Sequence, residues 1–370
     1  MANPDQVFSF QFDKEIPGDI QKRDTKPVPT DIWAMHLKQD VNPKALAQER
    51  GLTYLRPVGT LPDFHLFQVP AERTRTFASR TAKELPQVLW LERQTRRQRF
   101  PRLPDDPLFP EQWYLNNTGQ IQGELGVDVN VLPAWEDDLH GRGVQIAVVD
   151  DGLQYGHPDV QANYVALDSW DVIYADPDPS PVLSEDAHGT AVAGVAAVRD
   201  DGTSCGVGTA YRASVAGIRL IAEPITDAME AQALTYHYEH NHIFNNSWGP
   251  ADDGQRLEGP GKLTRLTLDD GVEKGREGLG SIYVWAGGNG RVMDDNLNYD
   301  GYANSRFTIA VGAVDYLGHQ ARYSEPGAPM LVTATSSSWD AGSCTTDLIS
   351  PDGYGSLGNC AQRFGGTSAS

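Results

Sequence analysis

The sequence predicts two folded parts: a small α+β domain, then an α/β domain built on a mostly parallel sheet with helices on both faces. From Trp113 onward, short apolar runs alternate with helical stretches, which is typical of parallel strands buried on both faces. Residues 31–99 combine strand-like and helix-like stretches in a shorter segment, which favours α+β. Residues 1–30 show no sustained apolar period and are predicted to be a flexible lead-in. The two domains are therefore predicted at 31–99 and 100–370.

Local patterns predict the individual elements. The small domain has predicted strands at 33–37, 64–69 and 88–91, and a helix at 43–50 that ends at Gly51. The strands predicted for the large domain are 144–149, 215–220, 243–247, 282–286 and 309–314, and its predicted helices are 188–198, 226–239 and 263–276. A basic run at 93–102, followed by prolines, predicts an exposed linker. That linker is either a processing site or a solvated hinge.

Charge is unevenly distributed along the chain, whose net charge is −20 over 370 residues. Of 30 Lys and Arg and 50 Asp and Glu, 17 and 12 lie in residues 1–102, which leaves 13 and 38 for the rest. This contrast suggests that the two parts bind each other and that the acidic part takes cationic ligands, although an acidic soluble surface has the same composition. The sign disfavours a nucleic-acid partner, and no apolar run is long enough for a membrane span.

Cysteine spacing and the N-terminus leave two questions open. The three cysteines, at 205, 344 and 360, are too widely spaced for a compact zinc motif, but they allow one disulfide with a free thiol or three buried thiols. The first residues lack the basic and apolar regions of a signal peptide. The chain is therefore either not secreted, or its natural start lies upstream.

Four polar residues follow one another in an order known for nucleophilic serine catalysis: Asp150, His188, Asn289 and Ser368. Asp150 ends an apolar strand, where a buried carboxylate needs a donor, and His188 in a Gly- and Ala-rich helix is the candidate. Asp150 would fix the tautomer of His188, which would take the proton of Ser368. The amide of Asn289 and the Ser368 backbone N–H would hold the oxyanion. Singly, each residue also fits a structural role, so the prediction depends on their combination.

These residues lie in motifs that resemble the kexin and furin branch of the subtilisin-like serine proteases, over residues 31–370. The motifs are Val149-Asp150-Asp151-Gly152, His188-Gly189-Thr190 and the stretches 246–254, 285–290, 300–305 and 366–370. The resemblance implies a subtilisin-like fold and a ferredoxin-like propeptide at 31–99, a chaperone and inhibitor that is cut off after Arg99. It also implies a secretory or extracellular protein. Because the chain ends two residues after Ser368, we expect a longer precursor and predict that residues 1–370 alone are inactive.

The resemblance also gives roles to acidic residues of the large domain. Asp252 and Asp300 match the acids that hold the basic substrate residue before the cut bond, called P1. Asp151, helped by Glu185, matches the acid that meets the next basic residue, P2. The acids matched to more distant basic residues are Glu230, Glu258 and Asp227.

Calcium ions, which take about six to eight oxygen ligands, are a further implication of the resemblance. The three implied ligand sets are Asp106, Asp159 and Asp201; Asp252, Asp295 and Glu325; and Asp171, Asp176 and Asp178. The Asp-X-Asp spacing of the last pair is an oxygen-ligand signal by itself, although a proline-fixed loop also explains it. Cys205 and Cys360 match a disulfide of the family.

We therefore expect a calcium-dependent serine endopeptidase that cleaves precursor proteins after basic residues, at sites of the Arg-X-Lys/Arg-Arg type. Its partners would be protein or peptide substrates with such sites and its own propeptide. Two alternatives stay open: a degradative subtilisin-type protease of broad specificity, and an inactive relative that acts as a binding protein. Equal cleavage of basic and apolar peptides would favour the first alternative. An uncut Arg99–Phe100 bond in the folded protein would favour the second.

Overall fold

The chain forms two compact units, Met1–Phe100 and Pro101–Ser370. The computed structural model describes residues 28–70, 73, 77, 85–96, 104–121, 123–202, 204–337, 343–346 and 359–370. Most of the predicted lead-in and the predicted cleavage site at Arg99 lie outside these residues. Within the described ranges, no helix combines the length and apolar character needed to cross a bilayer.

The N-terminal unit is a four-stranded antiparallel sheet in the order β2-β3-β1-β4. Its elements are β1 (Val28–Leu37), α1 (Pro43–Arg50), β2 (Thr53–Pro57), β3 (Phe64–Gln68) and β4 (Val88–Arg96). Inward-facing residues of the strands, such as Met35 and Phe67, are fully buried. Helix α1 begins where the Asn42 side chain accepts two backbone N–H groups, and it ends at Gly51, whose φ of 59° a glycine adopts without strain. This α+β unit confirms the small domain class predicted from the sequence.

The C-terminal unit is built on a seven-stranded, wholly parallel sheet in the order β11-β10-β9-β8-β5-β7-β6. The strands are β5 (Gln145–Asp150), β6 (Trp170–Asp171), β7 (Ser214–Arg219), β8 (Ile243–Asn246), β9 (Ile282–Ala286), β10 (Thr308–Val314) and β11 (Met330–Thr335). The helices are α2 (Leu132–Glu136), α3 (Pro158–Gln161), α4 (His188–Ala197), α5 (Asp227–Ala233) and α6 (Lys262–Gly278). Strands β12 (Ser343–Thr346) and β13 (Cys360–Phe364) form a separate antiparallel pair.

Both faces of this sheet are buried, as the apolar runs of the strands require. Along β5, Ala147 and Val149 join one core cluster, which includes residues of α5 and α6. Ile146 and Val148 join the other cluster, which contains much of α4. The predicted parallel sheet with helices on both faces is therefore confirmed.

Three predicted element boundaries were wrong. Strand β1 begins at Val28, whereas residues 1–30 were predicted to be a flexible lead-in and the first strand was predicted at 33–37. The helix predicted at 226–239 ends at Ala233, and His237 further on has a φ of 43°, which ends any helical continuation. Strand β4 extends to Arg96, so the beginning of the basic run predicted to be a linker is paired with β1 instead. Residues 92–96 are all polar or charged and do not alternate in burial, which is why the apolar pattern did not extend the strand.

A disulfide joins Cys205 to Cys360, the pair implied by the resemblance, across a separation of 155 residues. Both half-cystines are buried. The bond anchors the first residue of β13, the strand that leads into the serine-containing turn at Thr367–Ala369. A cross-link over such a long loop restricts the unfolded chain strongly.

A buried arginine organises the region beyond the ends of β6 and β7. Arg219 is 1% exposed, and its guanidinium lies 2.9 Å from Oδ2 of Asp171 and 3.4 Å from Oδ2 of Asp186. Its Nε also donates to the carbonyl oxygen of Asp151 at 3.1 Å. Because buried charges are costly unless they are paired, this cation fixes two acids and the loop after β5 together.

Replacing Arg219 by methionine is expected to lower the free energy of unfolding by about 3–5 kcal/mol, since two buried carboxylates would lose their cation. Urea denaturation followed by tryptophan fluorescence measures the loss. The control is Arg256→Met, which removes an exposed ion pair with Asp253 and should change stability by less than about 1 kcal/mol. Equal effects of the two substitutions would contradict the assignment.

Candidate active site

Asp150 and His188 meet at the carboxyl edge of the sheet. Asp150 is the last residue of β5 and is fully buried, and His188 is the first residue of α4. Nδ1 of the imidazole lies 2.8 Å from Oδ1 of Asp150. Burial would lower the pKa of His188, but the charge of Asp150 outweighs it and raises the pKa to about 9. Because Asp150 occupies Nδ1, Nε2 is the nitrogen that remains for a proton from a nucleophile.

Asp151 holds the beginning of α4. Its two carboxylate oxygens accept the backbone N–H groups of His188 and Gly189, at 2.9 and 2.7 Å. A Cβ at Gly189 would lie 2.3 Å from the carbonyl oxygen of Gly152, so only glycine fits there. Burial, together with the neighbouring charge of Asp150, raises the pKa of Asp151 to about 7. The residue predicted to meet a P2 side chain thus also caps the helix that carries His188, a role that sequence reasoning missed.

Ser368 lies in a 3₁₀ turn that is adjacent to α4. Oδ1 of Asn289 accepts the backbone N–H and the hydroxyl of Thr367, at 2.8 and 3.1 Å. These bonds fix which end of the amide is the oxygen, so that the NH2 is its donor end. The Ser368 hydroxyl donates to the carbonyl oxygen of Ser247 at 3.4 Å rather than to His188. The structure brings the four predicted catalytic residues to one region, and catalytic hydrogen bonds in such sites often align only when a substrate is bound.

Three acids crowd together next to Asn289. Carboxylate oxygens of Asp252, Asp295 and Glu325 lie within 4.8 Å of one another, as the second implied calcium set requires. Asp252 accepts the backbone N–H of Asn289 at 2.8 Å, and Glu325 accepts that of Gly290 at 3.0 Å. Burial and the neighbouring carboxylates raise the pKa of Glu325 to about 7 and also raise that of Asp252. A set of hard oxygen ligands with excess negative charge fits Ca²⁺.

Asp300 is directed toward the same region from the loop after β9. Its Oδ1 accepts the backbone N–H groups of Tyr302 and Ala303 at 2.7 and 3.2 Å, and a Cβ at Gly249 would lie 3.0 Å from its Oδ2. Burial, helped by the charge of Asp252, raises the pKa of Asp300 to about 6. The two acids predicted to hold P1 therefore lie within electrostatic reach of each other.

The other predicted substrate acids divide into structural and exposed groups. Asp227 accepts the first N–H groups of α6, which lower its pKa, and Glu230 accepts the Tyr302 hydroxyl at 2.9 and 3.0 Å. Glu258 is exposed and forms a backbone bridge with Asp300, and Glu185 is exposed beside α4. Asp227 and Glu230 thus have partners within the protein, whereas Glu185 and Glu258 present carboxylates to solvent.

The first implied calcium set is not reproduced as one group of oxygens. Asp106 is clustered with Asp105 and Asp200, while Asp159 lies with His157 and Cys205 and accepts the Cys205 backbone N–H at 3.2 Å. Burial and the nearby Asp200 raise the pKa of Asp106 to about 7. Asp201 is not in this cluster of side-chain oxygens. The calcium set implied by the resemblance at Asp106, Asp159 and Asp201 therefore stays a prediction.

In the third implied set, one of the three acids, Asp171, is paired with Arg219. Oδ2 of Asp171 pairs with Arg219, and its Oδ1 accepts two backbone N–H groups of the following turn. Oδ1 of Asp176 accepts the N–H of Asp178 at 2.9 Å. Asp171 therefore serves an internal ion pair in this structure, and the three acids do not form one oxygen cluster among the described residues. Arg219, 48 residues further along the chain, carries no local signal that would have revealed this pairing.

A buried Asp–His pair at the carboxyl edge of a parallel sheet, with a serine turn and an asparagine amide beside it, defines a subtilisin-like class of protein. The chain belongs to the subtilase family: the model of the Subtilase family matches residues 141–370, and that of the Peptidase S8 pro-domain matches residues 32–102. Within the family, its curated relatives place it in the kexin/furin-like convertase branch.

The relatives cover nearly the whole chain. The dibasic-processing endoprotease of Schizosaccharomyces pombe is 41% identical over 92% of this chain and 48% of its own length. Rat furin is 38% identical over 92% of this chain and 43% of its own. The chain thus spans about half the length of the curated relatives it matches. Among solved structures, a serine protease of Aeromonas sobria has a TM-score of 0.64 at 26% identity, covering 72% of this chain and 53% of that one.

Replacing Asp151 by asparagine is expected to lower the pKa of His188 from about 9, because one of the two carboxylates that favour the imidazolium is lost. Asp150→Asn should lower it further. Imidazole NMR titration of the three proteins measures the shift, with Asp269→Asn as an exposed, remote control.

The raised pKa of His188 also predicts how the free energy of unfolding depends on pH. The pKa of His188 is raised on folding, so its pairing stabilises fully below the ordinary value of 6.5 and this contribution is lost as pH rises through about 9. Unfolding free energies that stay parallel for wild type and Asp150→Asn across this range would contradict the pairing.

Proposed function

We propose that this chain is the precursor form of a calcium-dependent serine endopeptidase that cleaves other precursor proteins after basic residues. The observation that carries the proposal is the juxtaposition of the Asp150–His188 pair with four acids that form no ion pair with a basic residue among the described residues: Asp295 and Glu325, which are buried, Asp300, which is half-buried, and Asp252, which is exposed. Relatives whose names describe dibasic processing and proprotein conversion support it. Such an enzyme would work in the secretory pathway or outside the cell.

The proposed chemistry is acyl transfer through Ser368. Its Oγ attacks the carbonyl carbon of the scissile bond while Nε2 of His188 takes the hydroxyl proton, and Asp150 stabilises the resulting imidazolium. The NH2 of Asn289 and the Ser368 backbone N–H hold the oxyanion. The same proton then goes to the leaving amine, and water hydrolyses the acyl-enzyme in the reverse sequence of steps. For this to occur, the Ser368 hydroxyl turns from the Ser247 carbonyl toward His188.

Specificity for basic residues would come from Asp252, which is exposed, and Asp300, which is half-buried; neither forms an ion pair with a basic residue in the described part of the chain. Asp252 and Asp300 have raised pKa values, chiefly from burial, so their charged forms are disfavoured until a guanidinium or ammonium arrives. A charge-assisted pair with arginine would relieve that cost. Further along the groove, exposed Glu258 and Glu185 would meet more distant basic residues and P2.

Calcium would be held most readily by Asp252, Asp295 and Glu325, whose oxygens already converge. When bound, the ion would supply positive charge that keeps the three carboxylates ionised. Because Asp252 would belong both to this set and to the P1 pocket, ion binding and substrate binding would be coupled through one side chain.

Residues 31–99 would act as the propeptide, and the bond after Arg99 would be the processing site. Strand β4, which ends at Arg96, is paired with β1, so the predicted bond follows the last strand of the N-terminal unit by three residues. A cut in such a connection would release a folded unit. Its basic charge, opposite to that of the acidic unit, would favour its action as an inhibitor.

The proposed specificity is tested with a panel of fluorogenic peptides on the full-length precursor, with Ser368→Ala as the inactive blank. Arg-X-Lys-Arg peptides should be cleaved far faster than peptides with an apolar P1 residue. Asp300→Asn should lower kcat/KM for P1 arginine by about 10²-fold or more, because a buried charge pair is lost. Asp269→Asn, an exposed acid on α6, is the matched control and should have no effect. Equal turnover of peptides with basic and apolar P1 residues by the wild type would contradict the proposed specificity.

Removal of calcium by a chelator is expected to lower the melting temperature and to raise KM for P1 arginine peptides together. Saturating the site would restore stability by about 3 kcal/mol if calcium is present at ~100 times its dissociation constant. Glu325→Gln should reduce both calcium effects, whereas Glu273→Gln on the exposed face of α6 should reduce neither. A stability effect without any change in KM would show that Asp252 does not couple the two sites.

A further inference from the structure

A second group of chemically active side chains lies at the opposite end of β5 from the catalytic residues. Asp168 ends a short 3₁₀ helix (Ala166–Asp168), and His237 and His240 lie in the turn region after α5. Gln145, the first residue of β5, donates to Asp168 at 2.9 Å, whereas Asp150 is the last residue of that strand. The length of β5 separates the two sites by about 16 Å. The group is therefore too far away to take part in peptide-bond cleavage.

Two imidazoles of this group converge on a single carboxylate oxygen. Oδ1 of Asp168 lies 2.9 Å from Nδ1 of His237 and 3.1 Å from Nδ1 of His240, and the three atoms lie within 4.8 Å of one another. A tetrahedral zinc ion with bonds of about 2.0–2.1 Å holds neighbouring ligand atoms roughly 3.3 Å apart. A small outward movement of the two imidazoles would make room for such an ion. The metal would then replace the two Nδ1 protons that now bridge to the carboxylate.

The carboxylate is fixed by a surrounding set of hydrogen bonds. Asp168 is 6% exposed, and besides the bond from Gln145 its backbone carbonyl accepts from Nδ2 of Asn241 at 3.2 Å. Oδ1 of Asn241 in turn accepts from Gln145 at 2.8 Å. On the histidine side, the ring of Tyr236 stacks on His237 with centroids 4.4 Å apart and an interplanar angle of 8°. Outer contacts of this kind orient metal ligands in proteins.

The histidines leave the outer side of the group open to water. The side chains of His237 and His240 are 47% and 66% exposed, whereas Asp168 closes the inner side. Three protein ligands with an open fourth position are typical of tetrahedral zinc sites that keep a water molecule. Two imidazoles and one carboxylate suit zinc-class ions, whereas Ca²⁺ and Mg²⁺ prefer oxygen ligands throughout.

We propose that Asp168, His237 and His240 form a binding site for a zinc-class divalent ion, remote from the catalytic centre. Bound there, the ion joins the 3₁₀ segment that precedes β6 to the turn region between α5 and β8. It therefore stabilises this edge of the sheet without contacting the substrate groove.

Zinc titration of the full chain by calorimetry tests the site, with millimolar calcium present to occupy the all-oxygen clusters. We expect one high-affinity event that weakens at least about tenfold in His240→Ala, because one ligand of three is lost. His240 is exposed, so this substitution should leave the fold intact. The control is His319→Ala, which removes an exposed histidine elsewhere and should leave zinc affinity unchanged.

Cobalt substitution adds a spectroscopic readout. Co²⁺ at the site should give the visible absorption of a four-coordinate ion, and this band should be lost in His237→Asn as well as in His240→Ala. Asparagine tolerates the left-handed φ of 43° at position 237, so the first variant retains the turn. Zinc affinity and a cobalt spectrum that persist in both variants would place the metal elsewhere and overturn the proposal, whatever the outcome of the peptidase assays.

Discussion

The burial of Asp150 at the end of β5 is the constraint on which the rest of the site depends. A carboxylate that is fully buried needs donors, and His188 at 2.8 Å and the backbone N–H of Asp151 at 2.8 Å both serve its Oδ1. The first donor requires α4 to begin opposite the end of β5, and the close approach of Gly189 to Gly152 makes that possible. Asp151 then caps the same helix. Two consecutive acids therefore join one strand to one helix, and the geometry of the base follows from that junction.

Glu325 is buried and Asp300 is half-buried, and neither has an ion pair with a basic residue in the described part of the chain; under the proposed function this would link substrate recognition to metal binding. Burial raises the pKa of Asp300 to about 6 and that of Glu325 to about 7, so at neutral pH each charge is held at a cost. That cost is relieved by a proton, by a metal ion or by a basic side chain of a substrate. Arg219 shows the alternative inside the same fold, because it supplies a built-in cation to Asp171 and Asp186. Acids without such a partner are the ones that remain available to ligands.

Sequence patterns were sufficient where the information was local. The apolar run of β5, the small-residue helix α4 and the glycine stop of α1 each lie within about ten residues, and the structure has all three. Contacts between distant segments could not be derived in the same way. Asp151 caps a helix 37 residues away, and Asp171 meets an arginine 48 residues away, so neither partner follows from spacing. The helix predicted at 226–239 was too long. Apolar spacing favours a helix there, but the chain turns beyond Ala233.

Asn289 connects the two halves of the site. Its side-chain oxygen holds the turn of Ser368 through Thr367, and its backbone N–H donates to Asp252 in the acid cluster. A change of charge at Asp252 would therefore act on the backbone of the same residue whose side-chain amide would stabilise an oxyanion. A cation among Asp252, Asp295 and Glu325 would keep Asp252 ionised and strengthen its bond to the Asn289 backbone, which in turn would hold the amide in position. Under the proposed function, metal binding, P1 recognition and oxyanion stabilisation would thus be coupled through a single short segment.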